Sequence, residues 1–301
     1  MSQNFTRRNA LKSLVGVPPL FSFGYRPNDI TDPKGQAAGK LKTSLNAYSF
    51  NKPLMDGTMT LNDLLDFCAI NNIDGVDLTS YYFPGYPAVP SDEFLYDLKI
   101  KAFKLGVDIS GTGVRNDFTN PDVSKRKKDI EHIKNWIVAA SKIGAPVIRI
   151  FSGTLNPKEY DWNTIAEWMV KDIRECVNFG KANGVIVAIQ NHNDFLKTAE
   201  ETIKIIEKVN SPWFGQILDI GSFRSPDPYE EIARCIPYAV NWQIKELMYI
   251  NDKEIKTDLK KLFQIIKNSS YQGYLPIETL GPGDPFVKVP VFLEEVRTAL
   301  V

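Results

Sequence analysis

Four short polar clusters in this chain carry side chains able to hold a cation or move a proton. They read Gln190-Asn191-His192-Asn193-Asp194, Asp219-Ile220-Gly221-Ser222-Phe223-Arg224, Gln243-Ile244-Lys245-Glu246 and Glu278-Thr279. Each begins at the end of a run rich in apolar residues. An ionised carboxylate in such a run is costly unless a cation or hydrogen-bond donors meet it, so Asp219 and Glu278 need partners. Two answers are open. Asp219 caps the loop that follows it and Glu278 pairs with Lys245 or Arg224, or both carboxylates converge on a bound cation. Glu278 and His192 are also the side chains here suited to acid/base work near neutral pH. Lys245 could orient Glu278, stabilise an oxyanion or serve as a Schiff-base amine. Neighbouring acids would keep it charged, which weighs against the last role. His132 and His192 are the only histidines, which excludes a multi-histidine zinc site. His132 falls in the charged segment 125–135 and reads as a surface residue.

The elements that must position these residues alternate regularly. Strands are expected at 43–50, 75–79, 108–112, 146–151, 185–191, 215–220, 242–245 and 275–279. Helical patterns lie between them, with apolar residues three and four apart. Leu61, Leu64, Leu65, Cys68 and Ala69 form one such stripe, and Ile130, Ile133, Ile137, Ala140 and Ile143 another. Thr60, with Asp63 three residues on, marks one helix start and Asn163 another. Gly106, Gly144 and Gly184 mark stops. Eight strand–helix units over about 250 residues predict a parallel sheet closed into a single-domain (β/α)8 TIM barrel of the α/β class. The alternative, an open doubly wound sheet, normally shows a glycine-rich turn after its first strand, and Asn46-Ala47-Tyr48-Ser49-Phe50-Asn51 has no glycine. In a barrel, reacting groups sit at the C-terminal strand ends. Alternation then faces Gln190 with His192, Asp219, Gln243 with Lys245, and Glu278 into the mouth.

Composition narrows the partners. The chain has 301 residues, with 36 Lys and Arg balancing 36 Asp and Glu. No basic excess exists to neutralise nucleic-acid phosphates, and no apolar run reaches the roughly 18–20 residues of a membrane span. Cys68, Cys176 and Cys235 are too few and scattered for a disulfide scaffold. The first residues, Thr6-Arg7-Arg8-Asn9-Ala10-Leu11-Lys12 ahead of a weakly apolar stretch, resemble a twin-arginine export signal. Residues 1–38 are therefore expected to be signal and linker, 39–301 the barrel, and the location periplasmic. The loop Ser80-Tyr81-Tyr82-Phe83-Pro84-Gly85-Tyr86-Pro87 is dense in rings that could stack on a sugar face, or simply pack on their neighbours. Tyr81, Arg115, Arg149, Arg224 and Glu246 are the candidate substrate contacts.

These strand ends, together with Gly111-Thr112-Gly113-Val114-Arg115 and Ile277-Glu278-Thr279-Leu280-Gly281, resemble the xylose isomerase-like sugar phosphate isomerase/epimerase barrels. The resemblance covers nearly the whole chain after residue 40. It implies a divalent metal held by Glu, Asp, His and Glu on strands five to eight. By motif those positions fall on Gln190, Asp219, Gln243 and Glu278, so two match and two do not. The remaining oxygen donors would suit Mn²⁺ or Mg²⁺ rather than zinc, with His192 as a replacement nitrogen. The resemblance also implies proton abstraction beside a sugar carbonyl by a carboxylate pair. An amide is no base near neutral pH, so Gln190 leaves Glu278 alone. The expected activity is a sugar isomerase or epimerase with a divalent metal. The alternatives are a lyase or hydratase cleaving an oxidised 3-keto sugar or glycoside by β-elimination, and a non-catalytic sugar-binding barrel. The partner is a small carbohydrate, and homo-oligomerisation stays open.

Overall fold

The computed structural model describes residues 41–154 and 157–301. The expected export signal and linker at 1–38 lie outside them. In chain order the strands are β1 (Leu41–Asn46), β2 (Gly75–Thr79), β3 (Asp108–Gly113), β4 (Val147–Phe151), β5 (Ile186–Gln190), β6 (Phe214–Asp219), β7 (Ala239–Lys245), β8 (Leu247–Ile250), β9 (Lys253–Lys256) and β10 (Gly273–Glu278). The helices are α1 (Asn51–Met55), α2 (Leu61–Ile70), α3 (Asp92–Leu105), α4 (Val123–Ile143), α5 (Trp162–Ala182), α6 (Ala199–Val209), α7 (Pro228–Cys235), α8 (Leu259–Lys267) and α9 (Pro285–Leu300). Eight strands close into a barrel in the order β1-β10-β7-β6-β5-β4-β3-β2, while β8 and β9 form a separate antiparallel hairpin. All eight expected strands are present, and β10 is the eighth strand of the barrel.

Local chemistry explains the boundaries. The Thr60 side chain accepts from the Asp63 N–H at 3.2 Å, and the Asp63 carboxylate accepts from the Thr60 N–H at 2.8 Å, a reciprocal cap that starts α2. Gly106 and Gly144, with φ of 69° and 83°, end α3 and α4 in the left-handed conformation that glycine adopts without strain. The expected start at Asn163 is corrected to Asp161, whose carboxylate accepts from the Thr164 N–H at 2.8 Å. The first strand is shorter than expected. The Asn46 side chain accepts from the Tyr48 N–H at 2.8 Å and folds 47–50 into a 3-10 turn. The β8–β9 hairpin was not expected. Its turn residues Asn251 and Asp252 both have positive φ, a geometry that Asn and Asp tolerate.

The main core lies between barrel and helices, where outward strand residues such as Val76, Ile148, Ile189, Trp242 and Ile277 meet the helical stripes. Val147, Ala188 and Ile217 form a small separate apolar group that fills the barrel interior by strand alternation. The ladders differ in length. β7 and β10 share only the pairs Ile244↔Ile277 and Lys245↔Glu278, and β3 and β4 only Thr112↔Ile148 and Gly113↔Arg149. The other neighbouring strands share three to five pairs.

Candidate active site

The ends of β5, β6, β7 and β10 bring Gln190, Asp219, Gln243, Lys245 and Glu278 together. Asp219 is fully buried. Its Oδ2 accepts from Lys245 Nζ, Gln190 Nε2 and Ser222 Oγ, each at 2.8 Å, and its Oδ1 accepts from the Gly221 N–H at 2.9 Å. Lys245 Nζ also lies 3.1 Å from Glu278 Oε2. The Gln190 amide donates a second bond, at 2.8 Å, to Gln243 Oε1. Behind this cluster Asn191 fixes the end of β6. Its side chain donates to the Asp219 carbonyl and accepts from the Asp219 N–H, at 2.9 and 3.0 Å. A Cβ at Gly221 would lie 2.6 Å from Lys245 Cδ, so the glycine leaves the path along which the lysine stem passes.

Mutual attraction keeps Lys245 and Asp219 ionised. Burial disfavours the Lys245 ammonium, but the charges of Asp219 and Glu278 and their hydrogen bonds outweigh it and hold its pKa above the ordinary lysine value. Burial likewise works against the Asp219 carboxylate. The Lys245 charge and hydrogen bond prevail, with help from His192 and Ser222, and hold its pKa below the ordinary value.

A cavity of about 700 Å³ opens over the cluster, lined by Gln190, Gln243, Lys245 and Glu278 below and by Tyr81, Arg115, Arg149 and His192 above. Arg149 is buried and donates to Tyr81 Oη at 2.6 Å. A Cβ at Gly113 would approach its guanidinium to 2.7 Å, so the bare inner face of β3 accommodates it. The Arg115 guanidinium lies 4.3 Å from the Tyr81 ring centroid on the exposed side. In the aromatic loop, Tyr81 thus reaches the cavity. Tyr82 donates to Asn51 Oδ1 at 2.9 Å, and Phe83 packs edge-on against Trp136. His192 stands half exposed on the rim, with Nδ1 3.7 Å from Asp194 Oδ2. Asp194 is itself held through Oδ1 by Ser152 Oγ at 2.7 Å and the Phe195 N–H at 2.8 Å.

Three residues are placed differently from expectation. Arg224 is not a cavity residue. It donates to the carbonyls of Gly221 and Phe223 and covers the Tyr249 ring at 3.6 Å, because the unexpected hairpin intercepts it. Glu246 points away from the mouth, opposite in strand parity to Lys245, and pairs with Lys288 at 3.2 Å. His132 is half-buried rather than a surface residue, 3.3 Å from Tyr86 Oη.

Asp77 and Asp194 were not singled out from the sequence. Asp194 could have been found as the acid two residues after His192. Asp77 could have been found as the one carboxylate in the apolar strand Gly75-Val76-Asp77-Leu78-Thr79. Asp77 is buried against Gly111, where a Cβ would lie 2.9 Å from its Oδ2. Burial pushes its carboxyl up to about 6, against the pull of Arg149 and with a smaller push from Glu278. Between about pH 4 and 6 the folded chain therefore holds a proton that the unfolded chain has lost, and this group lowers stability as pH rises through that window. Asp77→Asn is expected to stabilise the fold by about 3 kcal/mol at neutral pH, a gain that vanishes below about pH 4. Urea unfolding midpoints of both proteins across that range check it.

The donors do not fit the divalent metal that the sequence resemblance implies. A carboxylate offers about four acceptor sites, and Asp219 already accepts four hydrogen bonds. The Gln190 amide turns its NH2 toward Asp219 and Gln243, and its Oε1 is buried with no hydrogen-bond partner among the described residues. The Lys245 ammonium fills the space between Asp219 and Glu278. His192 faces Asp194. Among the described residues no group of three His, Cys, Asp or Glu is arranged to hold a metal ion.

Comparisons with known proteins place this geometry. The family described as xylose isomerase-like TIM barrel matches residues 65–296. Among curated proteins none matches the chain in sequence. D-psicose 3-epimerase from Clostridium cellulolyticum H10, solved with D-tagatose, superposes with a TM-score of 0.71 at 14% identity, over 86% of this chain and 99% of that one. A 3-keto-D-glucoside 4-epimerase from E. coli gives 0.68 at 12% identity, over 86% and 100%. A probable 3-DHS dehydratase from Bacillus anthracis gives 0.62 at 16% identity, over 86% and 98%. At these identities the likeness establishes the shared barrel. No helix among the described residues is long and apolar enough to cross a membrane.

Proposed function

Because the chain belongs to the xylose isomerase-like TIM barrel family, we propose that it is an enzyme acting on a carbohydrate by removing a proton beside a carbonyl, with isomerisation or epimerisation as the outcome. The observation that carries this reading is the Glu278 carboxylate, which lines the cavity next to a fixed ammonium. Glu278 takes the proton from the carbon beside the carbonyl. The C–H electron pair forms the C=C bond of an enediolate, and the carbonyl oxygen becomes an oxyanion. Return of the proton by Glu278 to the neighbouring carbon on the same face, while the hydroxyl proton there passes to the former carbonyl oxygen, completes an isomerisation. Epimerisation instead takes its proton from water on the opposite face. Gln190 occupies the facing position and cannot act as a second carboxylate base, so one face of the sugar is served by Glu278 alone. Tyr81, Arg115 and Arg149 bound the other side of the cavity and orient hydroxyls. The substrate is an unphosphorylated sugar of the keto type, a class that includes what two of the structural relatives are named for.

One observation favours elimination as a second reading. His192, backed by Asp194 on the rim, is a group able to protonate a departing oxygen, as loss of a β-substituent from a 3-keto-glycoside requires.

Incubation with ketoses and 3-keto-glycosides in deuterated water tests both readings. The expected result is carbon-bound deuterium beside the carbonyl of a product otherwise unchanged in mass. Elimination instead gives fragments separated by mass spectrometry. Saturable sugar binding with no deuterium uptake would overturn the enzymatic assignment in favour of a binding barrel.

A further inference from the structure

We propose that the Lys245 ammonium is the resident cation of this barrel, taking the place of a metal ion and serving as the electrophile that stabilises the oxyanion. This rests on the proton-abstraction reading above and adds the group that receives the charge. Lys245 Nζ sits 2.8 Å from Asp219 Oδ2 and 3.1 Å from Glu278 Oε2, between the two carboxylates of the site. Its side chain is nearly buried, and its stem runs past Gly221 where no other residue would leave room.

The rest of the cluster is complementary to an ammonium rather than to a bare cation. Gln190 and Gln243 are neutral and bonded to one another, so two carboxylates remain to be balanced. Asp219 already accepts four hydrogen bonds from N–H and O–H donors, three of them on Oδ2. An ammonium carries three N–H donors. Two are used on Asp219 and Glu278, which leaves one for a ligand in the cavity that Lys245 lines.

The position also suits the redistribution of charge. When Glu278 takes the proton, its negative charge is lost and one appears on the substrate oxygen. The C–H bond breaks, the O–H bond on Glu278 forms, and the electron pair ends on that oxygen. Lys245 is beside Glu278 before the transfer and donates to the new oxyanion after it, so its ion pair changes partner without the cation moving. Such preorganised donors contribute most where water is excluded. Asp219 stays ionised throughout and anchors the ammonium.

Two measurements on the full chain decide this. Mn²⁺ is titrated into EDTA-treated protein by calorimetry, with Asp219→Asn in parallel. The expected result is no saturable uptake that depends on Asp219. Stoichiometric Mn²⁺ binding lost in Asp219→Asn would overturn the proposal, and this readout stands whether or not any sugar is turned over. Deuterium exchange into a responsive ketose is then measured with and without EDTA, and in Lys245→Met. Exchange is expected to be unaffected by EDTA and to fall by about 100-fold or more in the variant. Exchange abolished by EDTA and restored by Mn²⁺, or retained in folded Lys245→Met, would sink the assignment. Absence of exchange from every sugar, together with the expected Mn²⁺ result, would instead remove the proposed reaction and leave the cation assignment standing.

Discussion

Glu278→Gln is expected to lower turnover by about 100-fold to 10,000-fold while changing KM no more than about threefold. The amide has nearly the shape of the carboxylate but does not accept a proton near neutral pH. On the proposed reading, ground-state contacts to the sugar come mostly from the part of the cavity lined by Tyr81, Arg115 and Arg149. Folding should survive, because Lys245 keeps its 2.8 Å contact to Asp219 when Glu278 loses its charge. Steady-state kinetics, with a melting curve to verify folding, check this. A variant with unchanged turnover would transfer the base role to His192, whose own substitution then becomes the decisive one.

Asp219→Ala is expected to cost about 3–5 kcal/mol of stability, the scale for removing one partner of a buried ion pair. Four donors converge on this carboxylate: the Lys245 ammonium, the Gln190 amide, the Ser222 hydroxyl and the Gly221 N–H. Alanine leaves all of them without this acceptor. Asp219→Asn keeps the volume and one acceptor oxygen, so its loss should be smaller. Turnover should fall in both, since an ammonium without its anchor no longer holds a fixed place beside Glu278. Urea denaturation of the three proteins measures the first effect, and the order alanine below asparagine below wild type is the expected outcome.

Strand parity made much of the site legible in the sequence. Polar residues ending apolar runs had to point inward at one end of a closed barrel, which converges Gln190, Asp219, Gln243, Lys245 and Glu278. The same alternation places Glu246 on the outside, where it pairs with Lys288. Two things could not be read. The direction of the Gln190 amide depends on the donors and acceptors around it, and these come from β6 and β7. The fate of Arg224 depended on the β8–β9 hairpin, a ten-residue excursion whose only local signal is the Asn251-Asp252 turn. Asp77 and Arg149 show the converse. Their burial is permitted by the absent side chains of Gly111 and Gly113, a cause located on a different strand.

The two shortest ladders, β7–β10 and β3–β4, divide the barrel into a half made of β4 to β7 and a half made of β10, β1, β2 and β3. Each seam is spanned at the mouth by side chains of the site. Lys245 reaches Glu278 across the first, and Arg149 reaches Tyr81 across the second. Side chains that line the cavity therefore also tie neighbouring parts of the barrel together at its mouth. A substitution at Glu278 or Arg149 therefore removes a cavity contact and a cross-strand tie together.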